Sequence, residues 1–166
     1  MKVKTIKNGK EKGLFLQTIF NFKTITNMSG KRTYTMVKPT AMRKGYMAAI
    51  MNKIAEGGFK IVAAKMTKLS KEEAEAFYAI HSERPFFEEL TTFMSSGPIM
   101  AMVVEKENAV EAYRNFIGAT NPEEASEGTI RKLYGTNIGE NAVHGSDSDE
   151  NATNEIKFFF TDRELF

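Results

Sequence analysis

Three short runs of apolar and β-branched residues, separated by segments with helical periodicity, constrain the fold more than any other feature. The runs are TYTMV at 33–37, FKIVAAKMTKL at 59–69 and PIMAMVVE at 98–105. Runs of this length and composition are typical of buried β-strands. Pro39 follows the first run by two residues and, because it lacks a backbone donor, marks the end of that strand.

The segments between these runs carry apolar residues at the spacing of amphipathic helices. This spacing predicts four helices, over 42–56, 70–78, 84–94 and 108–118. Ser70 with Glu73 forms a capping box at the start of the second helix, and Pro85 opens the third. Glycines end the first and the fourth helix.

The polar segment 119–141 shows little periodicity and is predicted to be a long loop, followed by a short strand and a last helix. A loop of this length in a compact domain is usually functional. The predicted order, β, α, β, α, α, β, α, loop, β, α, contains a split βαβ-βαβ unit. We therefore expect an α+β fold with an antiparallel sheet of the ferredoxin-like type, additional helices and a long loop.

The composition excludes several classes of function. The chain has no cysteine, which removes thiol catalysis, zinc-finger and iron–sulfur chemistry and suits a reducing, cytoplasmic location. It has no run of about 18 apolar residues, so we expect no membrane span. The run RKGYMAAIM begins like an RNA-recognition motif, but Ala48 and Met51 stand where aromatic residues would stack on bases. This argues against nucleic acid as a partner.

Charge is unevenly distributed along the chain. The net charge is +2, but residues 1–27 hold six lysines and one glutamate, so the remainder is net negative. An anionic substrate would therefore need a local cluster of Lys and Arg. The first 27 residues also contain one apolar run, LFLQTIFNF, with no clear cleavage site after it. We expect 1–27 to be a disordered N-terminal extension outside the catalytic fold, from an upstream translation start or for targeting, and 28–166 to form the catalytic domain.

His144 is the first candidate for chemistry. It lies in NAVHGSDS, just before the last predicted helix, in a chain with only two histidines. A metal site would need further ligands at short spacing, and the other histidine, His81, is far away in sequence. A serine hydrolase would need G-x-S-x-G, which HGSDS does not provide.

A nucleophilic histidine needs one free ring nitrogen and an acceptor that holds the other. Glu155 is a candidate for that acceptor. If a strand from His144 to Ser148 is followed by a helix that folds back over it, the carboxylate arrives near the imidazole. Asp147 and Ser148 are suitable N-cap residues for such a helix. On these residues alone, an ordinary loop histidine stays the alternative for His144.

Five motifs along the chain together resemble the nucleoside diphosphate kinase family. They are YTMVKPTAMRKG, ERPFFEEL, SSGPIMAM, IGATNPEEASEGTIR and GTIRKLYGTNIGENAVHGSDS. The similarity runs in the right order from about Lys31 to the C-terminus, and all four prolines of the chain lie within it. The resemblance implies transfer of the γ-phosphoryl group from a nucleoside triphosphate to a nucleoside diphosphate, in a ping-pong reaction through a phosphohistidine.

The resemblance also implies roles for individual residues. His144 matches the family's nucleophile, and Ser146 and Glu155 match the groups that orient it. Tyr78 matches a tyrosine that packs beside the nucleophile. The matches that concern the nucleotide are Lys38 and Asn141 for the sugar and the transferring phosphate, Arg114, Thr120 and Arg131 for the phosphates, Phe86 and Ile138 for the base, and His81, which reaches the phosphates in some relatives only.

The family resemblance implies Mg²⁺ as the cofactor, carried on the nucleotide phosphates without a dedicated protein metal site. There is no P-loop, because NMSGKRT has Ile25 before it where the first glycine should stand and Arg32 in place of the metal-binding Ser or Thr. The expected substrates are purine and pyrimidine nucleotides, with ribose or deoxyribose, since apolar stacking tolerates any base.

The resemblance also implies a homo-oligomer. The chain ends at Phe166 without the C-terminal tail of many eukaryotic hexamers, which leaves both a tetramer and a hexamer open. The alternative function is a catalytically inactive nucleotide-binding or RNA-binding relative of the same fold. An inactive relative would be expected to lack one of the key residues, and every one of them is present.

Overall fold

The computed structural model describes residues 30–166, so the predicted extension 1–27 lies outside the described residues. The strands are β1 (Arg32–Val37), β2 (Lys60–Lys68), β3 (Pro98–Glu105) and β4 (Val143–Gly145). The helices are α1 (Pro39–Arg43), α2 (Met47–Glu56), α3 (Lys71–Phe77), α4 (Phe87–Ser95), α5 (Ala109–Ile117), α6 (Ile130–Tyr134) and α7 (Asp149–Phe159). Short 3₁₀ turns follow α3 at Ala79–His81 and α7 at Asp162–Glu164.

The four strands form one antiparallel sheet in the order β2-β3-β1-β4. This confirms the ferredoxin-like α+β prediction. The first and last strands of the chain are neighbours at one side of the sheet, and His144 on β4 pairs with Met36 on β1. The sheet thereby brings residues from both ends of the described chain to the same edge.

Both faces of the sheet are covered. One face packs against α3, α4 and α7 in a core that includes Tyr34 and Val103, and the other packs against α2 and α5 in a core that includes Met102 and Val104. Six consecutive residues of β3 are buried, which explains why this strand reads as a continuous apolar run and not as an alternating one. No helix described for residues 30–166 is long and apolar enough to cross a membrane.

The prediction of one helix over 42–56 is wrong. α1 starts at Pro39, which suits the first turn of a helix because its missing N–H has no partner there. Gly45, with a φ of 74°, then separates α1 from α2. The other differences are smaller: α4 starts two residues after Pro85, and the predicted loop 119–141 contains the five-residue helix α6.

Three predicted helix ends are confirmed, whereas the strand predicted from His144 to Ser148 is shorter, since β4 covers Val143–Gly145. The capping box of Ser70 and Glu73 opens α3, and α5 ends at Gly118. Ser148 caps α7 by accepting a hydrogen bond from the backbone N–H of Asn151 at 3.1 Å. This cap fixes the direction in which α7 leaves β4 and returns over the sheet.

Candidate active site

The structure brings His144 and Glu155 together as the strand-then-helix order predicts. Nε2 of His144 lies 2.9 Å from Oε2 of Glu155. The same carboxylate oxygen accepts a hydrogen bond from the hydroxyl of Ser146 at 2.6 Å. Because a carboxylate oxygen only accepts, Nε2 carries the proton, and Nδ1 is the ring nitrogen with a free lone pair.

Ser146 is fully buried and ties this arrangement to the sheet. Its hydroxyl oxygen accepts from the backbone N–H of Tyr34 at 3.3 Å while donating to Glu155. The single hydroxyl proton is thus used in the shorter of its two possible donations, the one to Glu155. Ser146 therefore links the carboxylate of Glu155 to β1.

The backbone of His144 is held in the same way. The hydroxyl of Thr35 donates to the carbonyl of His144 at 2.7 Å, and it lies 2.7 Å from the hydroxyl of Tyr113 on α5. Since the Thr35 proton is used toward His144, Tyr113 is the donor in the second contact. A chain of two buried hydroxyls therefore fixes the strand that carries the imidazole.

Aromatic rings surround the imidazole on its buried sides. The ring centroids of Phe77, Tyr34 and Tyr78 lie 5.5, 5.8 and 6.1 Å from that of His144. Burial raises the pKa of Tyr34 and of Tyr78, and the charge of Glu155 raises both further, so both phenols stay neutral. The side chain of His144 is 18% exposed, so the imidazole is mostly buried but remains accessible to a ligand.

The backbone just before β4 is strained. Ala142 has a φ of 68° and is buried, and the N–H of Val143 bonds to the carbonyl of Asn141 at 2.8 Å, as in a γ-turn. The carbonyl of Ala142 in turn accepts from the N–H of Lys38 at 2.9 Å. Strain of this kind is common at functional sites, where the surrounding structure maintains it.

Lys38 and Asn141 form a buried polar pair beside this turn. Nζ of Lys38 donates to Oδ1 of Asn141 at 2.7 Å, and Nδ2 of Asn141 donates to the carbonyl of Thr120 at 3.1 Å. Burial, with the nearby charge of Arg131 adding to it, lowers the pKa of Lys38 to about 7. An ammonium group in this position is therefore poorly compensated until an anion approaches it.

Arg131 is also buried and only partly paired. One of its five N–H groups donates to the carbonyl of Gly118 at 3.0 Å and one to the carbonyl of Val143 at 3.5 Å, while Nε has no partner among residues 30–166. Gly118 has a φ of 89°, and an added Cβ would lie 2.5 Å from the hydroxyl of Thr129. Only glycine presents its carbonyl to Arg131 here.

Arg114 is the exposed member of this cationic group. It lies on α5 at the edge of an open groove of about 430 Å³, which Asp147 and Asp149 also line. Within the described part of the chain its guanidinium has no hydrogen bond or ion pair. Its charge, after burial, is the second cause that lowers the pKa of Arg131 to about 10.

Repulsion between these three cations makes their charged forms less favourable. Arg131 lowers the pKa of Lys38, and Arg114 lowers that of Arg131. The side chain of Arg131 bonds to the carbonyl of Val143, the residue before His144. None of the three has a carboxylate partner among residues 30–166. Such cations beside an imidazole nitrogen with a free lone pair are suited to bind a polyphosphate.

The two residues expected at the base are both exposed. Phe86 precedes α4 and is 48% exposed, and Ile138 in the 119–141 segment is 64% exposed. The ring of His81 lies 5.8 Å from that of Phe86 and 6.4 Å from that of Tyr78, so these rings form a continuous path to the imidazole. No contact is described between Ile138 and the other predicted residues.

Residues 30–166 contain no group of three or more His, Cys, Asp or Glu side chains that could hold a metal ion. Asp147 is a second acidic residue near His144, after Glu155, and a hydrogen bond from Asn151 is the main cause that lowers its pKa. Its single carboxylate provides one ligand where a protein-held Mg²⁺ would need more.

Comparison with known proteins agrees with this geometry. A family model described as nucleoside diphosphate kinase matches residues 31–165. The nucleoside diphosphate kinase of Flavobacterium psychrophilum is 57% identical over 139 residues, which cover 84% of this chain and all of that protein. The Persephonella marina enzyme of that name is 59% identical over 138 residues, covering 83% and 99%. The chain belongs to the nucleoside diphosphate kinase family.

Solved structures of the nucleoside diphosphate kinase family share the fold. A crystal form of the Aquifex aeolicus enzyme superposes with a TM-score of 0.81 at 46% identity, covering 82% of this chain and 99% of that one. The Halobacterium salinarum enzyme in complex with CDP superposes with a TM-score of 0.77 at 39% identity, covering 81% and 90%.

The sequence patterns did not identify the residues of β1, α3 and α5 that support the site. Tyr34 and Thr35 on β1, Phe77 on α3 and Tyr113 on α5 all hold or surround His144. Each one reads as an ordinary core residue in its own strand or helix. The pairing of β1 with β4 is the signal that would have found the first two, since it places them beside the histidine.

Proposed function

We propose that His144 carries the phosphoryl group between two nucleotides, with Nδ1 as the attacking atom. As a member of the nucleoside diphosphate kinase family, the chain is an enzyme that transfers the γ-phosphoryl group of a nucleoside triphosphate to a nucleoside diphosphate. The observation that carries the proposal is the bond of Nε2 to Glu155, because it leaves Nδ1 with a free lone pair in a side chain that is still partly exposed.

In the first half-reaction the lone pair of Nδ1 forms a bond to the γ-phosphorus. The bond between that phosphorus and the bridging oxygen breaks, and the nucleoside diphosphate leaves with the bond's electrons. The ring becomes a phosphorylated imidazolium, whose positive charge the carboxylate of Glu155 stabilises. In the second half-reaction a terminal oxygen of another diphosphate attacks, and the N–P electrons return to Nδ1.

Lys38, Arg114 and Arg131 take up the charge of the phosphate chain. Arg131 and Lys38 are fixed by bonds to Gly118 and Asn141, so they need little reorganisation when the nucleotide binds. Arg114 approaches from the open groove on the other side. Thr120, whose carbonyl holds Asn141, offers a hydroxyl to the phosphates at the start of the long polar segment.

The base lies between the apolar side chains of Phe86 and Ile138, with His81 beside the phosphates. Both apolar side chains are unusually exposed for their size, and neither offers a polar atom that would select one base. Stacking of this type tolerates purines and pyrimidines. Asn141, next to Lys38, is placed for the sugar and for the transferring phosphate.

The remaining features follow from the same proposal. Mg²⁺ enters bound to the nucleotide phosphates, as part of the substrate, and offsets part of their charge. The enzyme works in the cytoplasm, as the absence of cysteine suits, and as a homo-oligomer, either a tetramer or a hexamer. An inactive nucleotide-binding role is the weaker candidate, because the imidazole, its acceptor and the cations are all in place.

Transfer in two separate steps tests the ping-pong reaction. The enzyme phosphorylated by ATP and then freed of nucleotides should pass its phosphoryl group to an added nucleoside diphosphate, since each half-reaction runs alone. Initial rates with ATP and a pyrimidine deoxynucleoside diphosphate should give parallel double-reciprocal lines. Intersecting lines would indicate direct transfer within a ternary complex and would contradict the proposal.

A further inference from the structure

Two helices and the turn between them carry three of the residues discussed above. α3 and α4 pack side by side, and the connecting residues 78–86 hold Tyr78, His81 and Phe86. We refer to residues 71–95 as the α3–α4 hairpin and to residues 78–86 as its tip. The inner face of the hairpin packs on the sheet through Ala74 and Met94.

Hydrogen bonds hold the tip only to the rest of the hairpin. Within residues 79–86 every hydrogen bond that the structure describes is internal to the hairpin, such as those from the N–H groups of His81 to Tyr78 and of Arg84 to His81, both 2.8 Å. The rings of Phe86, His81 and Tyr78 also follow one another toward the buried side of the site. The position of Phe86 therefore depends on these ring contacts and on how α3 and α4 are oriented.

Lys71 is the first residue of α3, at the end of that helix away from the tip. Its Nζ lies within hydrogen-bond distance of four acceptors on α4, which share its three N–H groups. They are the side chain of Glu88 at 2.8 Å and its carbonyl at 3.2 Å, and the hydroxyls of Thr91 at 2.8 Å and Thr92 at 2.7 Å. Thr91 is fully buried, and Lys71 itself is 30% exposed. An ordinary surface ion pair has one partner and contributes little. Lys71 instead has four acceptor atoms around its ammonium group, and we call these atoms of Glu88, Thr91 and Thr92 the polar cage.

The bonds of the acceptors reinforce the cage. The hydroxyl of Thr91 donates to the carbonyl of Phe87 at 3.0 Å, and that of Thr92 lies 3.3 Å from the carboxylate of Glu88. Each hydroxyl thus donates within α4 and accepts from Lys71. The ammonium group fixes α3 against the first turns of α4, and those turns follow Phe86 directly.

We infer that Lys71 is a positioning residue that sets the height of Phe86 and His81 above the nucleotide, and so controls nucleotide binding from a site that touches no nucleotide. The inference rests on the proposed function for the role of Phe86. A helix of seven residues is about 10 Å long, so a tilt of about 10° at its base would move the tip by about 2 Å. Such a shift would leave His144, Ser146 and Glu155 unchanged, since these lie on β4 and α7.

Two phosphoryl donors separate this role from general damage to the fold. ATP needs both the base site and the histidine, whereas phosphoramidate has no base and needs the histidine alone. Nδ1 takes the phosphoryl group from phosphoramidate, and the donor's protonated nitrogen leaves as ammonia. Comparison of phosphohistidine formation from the two donors therefore reports on the hairpin tip independently of His144.

The test compares Lys71→Met with Lys68→Met, a change at an exposed lysine for which residues 30–166 provide no polar partner. Lys71→Met should lower kcat/KM for ATP roughly 10-fold to 100-fold, mainly through KM, because a small displacement from a remote change has effects of this size. Its rate with phosphoramidate should stay within twofold of the unsubstituted enzyme, and Lys68→Met should change neither donor. Thr92→Val, which removes one acceptor, should show a weaker effect of the same kind.

Three results would overturn the inference. Unchanged kinetics of Lys71→Met with ATP would make Lys71 an ordinary surface residue. An equal loss with both donors would show that the cage supports the fold and not the nucleotide site. If the unsubstituted enzyme formed no phosphohistidine with either donor, the proposed function would fail first, and the inference with it.

Discussion

Oε2 of Glu155 accepts from both Nε2 of His144, at 2.9 Å, and the hydroxyl of Ser146, at 2.6 Å. Glu155→Gln keeps the shape of the side chain and removes its charge. Hydrogen bonds to charged groups contribute about 1.5 to 3 kcal/mol, so phosphorylation of the enzyme by ATP should slow by roughly 10-fold to 150-fold. Stopped-flow measurement of the first half-reaction checks this.

Glu150→Gln is the matched control for that change. Glu150 lies on the same helix, is exposed and has no described polar partner within residues 30–166. Its substitution should leave the first half-reaction unchanged. Equal rates for the two variants would mean that the carboxylate of Glu155 does not stabilise the imidazolium.

The lowered pKa of Lys38 predicts that kcat/KM depends on pH. Burial, and then Arg131, lowers its pKa to about 7, so the nucleotide-free enzyme loses this positive charge as pH rises through that value. Because kcat/KM reports on the free enzyme, it should fall on the alkaline side of pH 7. In Lys38→Arg, whose guanidinium stays charged, this fall should move to much higher pH, whatever the variant's overall activity. A fall at the same pH in both enzymes would assign it to another group.

The same lowered pKa affects stability. Between pH 7 and 10.5, the ordinary value for lysine, the unfolded chain binds a proton at Lys38 that the folded chain lacks. The free energy of unfolding of the nucleotide-free protein should therefore rise with pH over this range, by more than in Lys38→Arg. Urea titrations at pH 7, 8 and 9 measure this difference.

Substitution of Arg114 tests the contribution of positive charge at the phosphates separately from that of the nucleophile. Arg114→Ala removes a charge-assisted contact worth about 1.5 to 3 kcal/mol, so turnover should fall by one to two orders of magnitude. The melting temperature should not change, since Arg114 is exposed and bonds to no other described residue. Arg163→Ala, at another exposed arginine, is the control. Unchanged kinetics would make Arg114 an ordinary surface charge.

The pairing of His144 with Glu155 was predictable because it depends on local order, a strand followed by a helix that folds back over it. β3 was predictable at its full length because burial on both faces makes it a continuous apolar run. The break at Gly45 was not, since one glycine in a left-handed conformation interrupts a periodicity that resumes beyond it. α6 is too short to show a period.

The residues that support the site could not be predicted from the sequence for a different reason. Thr35 and Tyr113 hold His144 from β1 and α5, across sequence separations of 109 and 31 residues. Nothing in the local pattern of either element distinguishes a core hydroxyl that holds the site from one that fills space. The role of Lys71 likewise depends on the packing of two helices, which their separate periodicities do not specify.

Residues 1–27 are predicted to make no contribution to the catalytic domain. A protein starting at Met28 should fold, assemble and transfer phosphate like the full chain, since the family model begins at residue 31. Thermal melting, size-exclusion chromatography and the rate of phosphoryl transfer from ATP to a nucleoside diphosphate measure the three properties. A fall of several degrees in melting temperature, or a smaller assembly, would show that the segment packs on the domain.

The most direct measurement is the detection of the phosphorylated enzyme. ATP labelled at the γ-phosphate should transfer its label to the protein, and the label should be lost in acid and stable in base, as an N-linked phosphate is. His144→Asn should abolish both the label and phosphoryl transfer to a nucleoside diphosphate. A label of the same amount and stability in His144→Asn would contradict the assignment of His144 as the nucleophile.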